Sequence, residues 1–231
     1  MLNMKRLSVT ILCLISFIFM AQSQDSRKVT SVEPQFSDIL NVFEMMDINI
    51  FGFDLSPFLD TKYSVSVYVD EYKNNKKVNR NHTINIGNNI ESLKDVPEEH
   101  RASFREQKQI PEGKSEWDKI ENISVYIRNM NDSTSIISIV VPNAVKTGTQ
   151  VKLYPLGDFK RHFYKVRPFS FAEVGQEDFV DIPLILYGSG WLDGQMIRFC
   201  GESEIDPDMK AEILANIPHH YVLGLELKKV E

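Results

Sequence analysis

Any chemistry in this chain has to come from a few clusters of aromatic, acidic and imidazole side chains. Tyr187, Gly188, Ser189, Gly190, Trp191, Leu192, Asp193 and Gly194 set two aromatics and a carboxylate around a glycine-rich turn. A sugar ring can stack on an exposed indole while a carboxylate accepts hydrogen bonds from its hydroxyls. Trp191, Tyr187 and Asp193 are therefore candidate ligand contacts. Trp117, at the end of a highly charged stretch, is a fourth. The competing reading for both tryptophans is core packing, because large aromatics mostly fill space.

Other chemistries find weaker support. The histidines are His82, His100, His162, His219 and His220, and only the last two are adjacent. Neighbours on a strand point to opposite faces, so this pair cannot share one metal, and all five read as surface histidines. No HExxH, HxH or paired-cysteine zinc pattern occurs. Asp206-Pro207-Asp208 and Glu202-Ser203-Glu204 bring carboxylates together without the calcium-loop frame, and they read as helix capping and a solvated loop. Gly188-Ser189-Gly190 lacks the GxSxG frame of a nucleophile elbow and reads as a turn. Phosphate loops and dinucleotide fingerprints are absent. A carboxylate pair for glycoside hydrolysis depends on separation in the fold, which sequence does not carry. The sequence thus assigns no catalytic residue, metal or cofactor.

The N-terminus has the form of an export signal. Lys5 and Arg6 precede an uncharged apolar run, residues 7–20, followed by Ala21-Gln22-Ser23, a small-x-small cleavage pattern. The run is shorter than the roughly 20 apolar residues of a membrane span. Residues 1–23 are read as a signal peptide and 24–35 as a flexible leader, with no integral membrane span after cleavage. The whole chain has 231 residues and a formal charge of -6. Removal of the signal takes away Lys5, Arg6 and Cys13, which leaves 208 residues, a charge of −8 and Cys200 alone. One cysteine allows no internal disulfide, so the core must hold the fold. Cys200, within an apolar stretch, reads as a small buried hydrophobe. The acidic charge argues against nucleic-acid partners, which need clustered Lys and Arg. The densest basic patch, Lys160, Arg161, His162, Lys165 and Arg167, reads as a solvated edge.

The elements that must position these residues are mostly strands. Residues 63–70 alternate Tyr63, Val65, Val67 and Val69 against Ser64, Ser66, Tyr68 and Asp70, the signature of a half-buried strand. Residues 78–86 follow a polar turn and complete a hairpin with a wet outer face. Residues 120–130 and 135–141 form a second hairpin around Asn131-Asp132. Further strands are expected at 48–55, 151–154, 159–169, 182–187, 195–200 and 221–228. Residues 36–46 fit either helix or strand. Residues 87–118, highly charged and with two prolines, read as an irregular excursion with a short helix after Pro97. One helix is expected at 207–215, with Asp206 as N-cap, Pro207 at the first position and Pro218 beyond its end. The expected fold is all-β: a β-sandwich-like arrangement of antiparallel sheets, residues 36–231, with one short C-terminal helix.

The stretches FGFDLSPFLDTKYSVSVYVDEYKNNKKV (residues 51–78) and HHYVLGLELKKV (residues 219–230), behind a signal-like segment ending AQS, resemble an exported β-rich domain-of-unknown-function family of gut Bacteroidetes. That resemblance implies a compartment and a fold rather than an activity. The expected protein is periplasmic or extracellular and non-catalytic, a binding or cell-envelope assembly module. Its expected partner is a glycan or a cell-envelope protein. The competing expectations are a hydrolase whose acids converge in the fold, and an oligomeric pore or pilus-like subunit.

Overall fold

A computed structural model describes residues 33, 35–142, 144–159, 162–171, 175, 177–199 and 201–230. The expected signal peptide, nearly all of the leader, Lys160, Arg161 and Cys200 lie outside the described residues. The chain separates into a unit of residues 1–39 and a unit of residues 40–231, and the second carries both large sheets.

Residues 36–46, open between helix and strand in the sequence, form helix α1 (Phe36–Met45). Asp38 accepts a 2.6 Å hydrogen bond from the Gln35 backbone N–H, a reciprocal cap at the first turn. Asp47, in the left-handed region at φ 54, then turns the chain into the first strand.

Four antiparallel strands make the first sheet, in the order β1 (Ile48–Asp54), β6 (Asn122–Asn131), β7 (Thr134–Val141) and β8 (Val145–Lys152). Five antiparallel strands make the second: β3 (Lys76–Asn88), β2 (Tyr63–Lys73), β13 (His219–Lys229), β10 (Phe179–Ser189) and β9 (Tyr164–Pro168). Alternation in sequence becomes alternation in burial. Val65, Val67 and Val69 of β2 meet Ile123, Val125 and Ile127 of β6 and Ile137 and Ile139 of β7 in one core between the sheets. Asn74 and Asn75 both take positive φ, the requirement of a two-residue hairpin turn, and Asn tolerates it. The all-β sandwich expected from the sequence is therefore the observed fold.

The second sheet is buried on its outer face as well. Tyr68, Leu186 and Val222 are covered by Phe169, Ile205, Ile213, Leu214 and Ile217. This layer accounts for two differences from the sequence expectation. The outer face of β2 is not wet, since Tyr68 and Asp70 are buried. Gly188 and Ser189 are not a turn but the buried end of β10, where a side chain at 188 would crowd Leu186, His220 and Ile217.

The covering layer also replaces the expected helix at 207–215. Asp206 does accept from the Asp208 N–H at 3.1 Å, but Asp208 then accepts from the Lys210 N–H at 2.8 Å, and Met209 takes φ 59. Two side-chain turns around a left-handed residue prevent helix propagation, and a single 3-10 turn remains at Glu212–Ala215. Strand β8 begins six residues before the sequence placed it. It is an edge strand with one fully buried residue, Val151, so its apolar period is faint.

Residues 87–118 are ordered. Two short strands, β4 (Ile90–Ser92) and β5 (Glu116–Asp118), pair as a ribbon, and helix α2 (Glu98–Gln107) lies between them in the chain. Pro97 precedes α2, Glu98 and Glu99 occupy its first turn and Arg105 its last, in agreement with the helix dipole. A last ribbon, β11 (Trp191–Asp193) with β12 (Met196–Arg198), follows β10. Among the described residues no helix is long and apolar enough to cross a membrane.

Candidate functional site

The excursion is rooted by Asn89, which is buried. Its side-chain oxygen accepts from the Tyr63 N–H at 2.7 Å, and its amide donates to the carbonyls of Phe58 (2.7 Å) and Thr61 (3.0 Å). Its own carbonyl accepts from the N–H groups of Lys119 and Ile120, so both ends of the excursion meet at one residue. Arg101 donates to the carbonyls of Val96 and Lys94, and Arg105 to those of Ile110 and Pro111, which ties α2 to its flanking chain. Charges that look like solvated decoration in the sequence are thus partly internal struts.

This framework fixes Trp117. The indole is half-buried against Phe104 of α2, with ring centroids 5.2 Å apart and a 57° tilt. It lines a groove of about 660 Å³ whose other walls are mostly polar: Gln107, Lys108, Gln109, Asp118, Lys119, Glu121 and Asn122, with Pro142 beside them. Lys119 pairs with Glu91 across the ribbon, so its charge is compensated. An aromatic plane among amides and carboxylates is suited to a ligand with apolar C–H faces and many hydroxyls.

The other three candidate contacts stand elsewhere and apart from Trp117. Tyr187 is buried in the core between the sheets and donates to the Asn129 side chain at 2.6 Å. Burial pushes its phenol up to about 12. It is a packing residue and not an exposed ligand contact. Trp191 is half-buried against the outer layer of the second sheet. Asp193 is exposed and pairs with Arg198 across the β11–β12 ribbon at 3.0 Å. The sequence window 187–194 suggested one cluster, but the end of a buried strand and a surface ribbon divide it.

Two buried histidines replace the expected surface pair. His219 and His220 do point to opposite faces of β13, but both faces are covered, and the two residues are 5% and 0% exposed. His219 faces the gap between the sheets. Tyr164 accepts a backbone N–H from Tyr154 at 3.3 Å and donates to His219 Nδ1 at 2.6 Å, so Nε2 carries the proton and donates to Glu71 at 3.0 Å. Burial lowers the His219 pKa, with Glu71 opposing. Burial alone would raise the Glu71 carboxyl, but His219 and Lys73 hold it below its ordinary value. Both ring nitrogens of His219 have partners, and the circuit links β2, β9, β13 and the chain after β8. The two tyrosines, Glu71 and His219 come from four separate segments, so no local motif announces them.

His220 lies on the opposite face, stacked on Tyr72 with centroids 4.8 Å apart and 10° between the planes. Neither of its ring nitrogens has a hydrogen-bond partner. Burial first, and then the neighbouring His219, drives its pKa down to about 4. The expected solvated basic edge is also altered: Arg167 is buried and donates to the Phe199 carbonyl at 2.6 Å, while Lys165 lies over the Phe199 ring. Among the described residues no three His, Cys, Asp or Glu side chains are grouped so as to hold a metal ion.

These features define a two-sheet all-β domain with an aromatic-walled polar groove on an inserted ribbon and helix. The chain matches the family described as Domain of unknown function (DUF5041) over residues 18–229, and it belongs to that family. No curated protein and no solved structure matches it.

Proposed function

We propose that this protein is an exported, non-catalytic binding module that recognises a glycan through the Trp117 groove. The observation that carries the reading is the position of Trp117, a half-buried indole in the wall of a polar groove. Sugar recognition needs a flat apolar surface for one ring face and donors and acceptors around its edge. Here Gln107, Gln109 and Asn122 offer amides, while Asp118 and Glu121 offer acceptors. Export rests on the basic, apolar and small-residue pattern of residues 5–23, and it sets the glycan in the periplasm or at the cell surface.

Glycan-array binding of the full chain, beside Trp117→Ala and Trp191→Ala variants, tests the site. The expected outcome is binding that the first substitution removes and the second leaves intact. Binding that survives Trp117→Ala would refute the groove. Asp118 and Glu121 share that groove, so cleavage of the bound glycan, lost in Glu121→Gln, would refute the non-catalytic part and favour a hydrolase. N-terminal sequencing of the protein from its native host should begin at Gln24, and an intact Met1 would refute export by cleavage.

A further inference from the structure

A second cleft lies along the free edge of the first sheet. It encloses about 760 Å³ between β1 and the bent middle of β10. The bend has a local cause. Pro183 cannot donate to a ladder, and the pairing of β10 with β13 shifts between Pro183 and Ile185. The cleft walls are apolar: Phe53, Phe58, Phe171, Pro57 and Pro207 stand around Pro183, with Leu225 of the core beneath. Phe53 and Phe171 meet edge to face at 6.0 Å, and Phe171 remains 58% exposed.

The charged side chains among its described lining residues are all acidic. Asp54, Asp60 and Asp181 line it, and no lysine, arginine or histidine is among its described lining residues. We propose that the cleft binds an amphipathic cation: an apolar chain or ring system held between the phenylalanines, with an amine or quaternary ammonium group against Asp181 and Asp54. The volume suits a small ligand of that kind. The carboxylates provide electrostatic complementarity, and aromatic faces attract a cation that has lost part of its water. The Asp181 side chain accepts from the Tyr68 hydroxyl at 2.6 Å, which fixes its direction. Burial first, with Glu226 and Asp70 adding to it and the Tyr68 hydrogen bond and Arg80 opposing, holds its carboxyl above the usual range, and a bound cation favours its ionised form. Asp54 is held low by hydrogen bonds from Ser56, so it stays ionised at the rim.

The test compares dodecyltrimethylammonium, dodecyl maltoside and dodecanoate, three molecules with one tail length and different heads. Each is titrated into the full chain by calorimetry below its micelle threshold. The expected result is saturable binding of one ammonium amphiphile per chain, at least tenfold tighter than either of the others. Asp181→Asn, which keeps an acceptor for Tyr68, and Phe171→Ala, at an exposed wall, should each weaken it at least tenfold. Trp117→Ala should leave it unchanged, which separates this cleft from the glycan groove. Equal binding of all three heads, or binding indifferent to Asp181→Asn and Phe171→Ala, would overturn the proposal.

Discussion

His220 makes the stability of this fold sensitive to mild acid. Its ring is fully buried, its two nitrogens have no partner, and it titrates near pH 4 in the folded chain against 6.5 for an ordinary histidine. Between those values the unfolded chain binds a proton that the folded chain refuses. Unfolding is therefore favoured progressively as pH falls from about 6.5 to 4, and the effect is absent above that window. At pH 5 the linkage amounts to about 2 kcal/mol relative to pH 7.5, from the two pKa values and the linkage relation. His220→Phe removes the titration while an aromatic ring can still stack on Tyr72, 4.8 Å away. Urea unfolding of both proteins at pH 7.5 and pH 5.0, followed by tryptophan fluorescence, should show the wild type losing about 2 kcal/mol more than the variant. His219 remains in both, so its own acid sensitivity cancels apart from its coupling to His220. The reasoning fails if the two proteins lose stability in parallel, or if the His220 ring signals in an NMR titration move near pH 6.5.

Three further substitutions probe the scaffold. Asn89→Ala deletes three hydrogen bonds and strands the Tyr63 N–H in a buried place, so a loss of about 2–4 kcal/mol is expected by urea unfolding, with increased amide exchange across residues 90–118. Gly224→Ala would put a methyl group against the Tyr68 ring and 2.8 Å from the Ile182 carbonyl, so thermal unfolding should report about 1–3 kcal/mol of destabilisation. Tyr164→Phe leaves His219 Nδ1 and the Tyr154 N–H without their partner, at about 1–3 kcal/mol, and a stability equal to wild type would show that circuit to be unimportant.

The sandwich was legible in the sequence because strand faces have a period of two and its central strands are clean. Residues 63–69 place Tyr63, Val65, Val67 and Val69 on one face and residues 135–141 place Ile137, Ile139 and Val141 on one face, and each of these faces is buried in the core between the sheets. What stayed hidden has a common cause: the second cover on the outer face of the second sheet. The cover is made of turns and one 3-10 segment rather than the helix expected at 207–215; Ile213, Leu214 and Ile217 fit that helix's apolar stripe in the sequence, but the layer they form with Ile205 has no regular period. Once that layer exists, the local inferences beneath it change together. Tyr68 and Asp70 of β2 become buried, Gly188 and Ser189 become the buried end of a strand, and a histidine pair that alternation assigns to two faces loses solvent on both. The face assignment of His219 and His220 was sound; the assumption that one face of a sheet stays wet was not. Trp117 illustrates the reverse case. Its neighbourhood is charged and broken by prolines, yet it lies in an open groove, because Asn89, Arg101 and Arg105 use their polar groups to fix a segment that has little apolar core of its own. In such a segment order comes from side chains bonding to backbone carbonyls, so the signal to look for is a buried Asn or Arg beside a turn rather than a hydrophobic period.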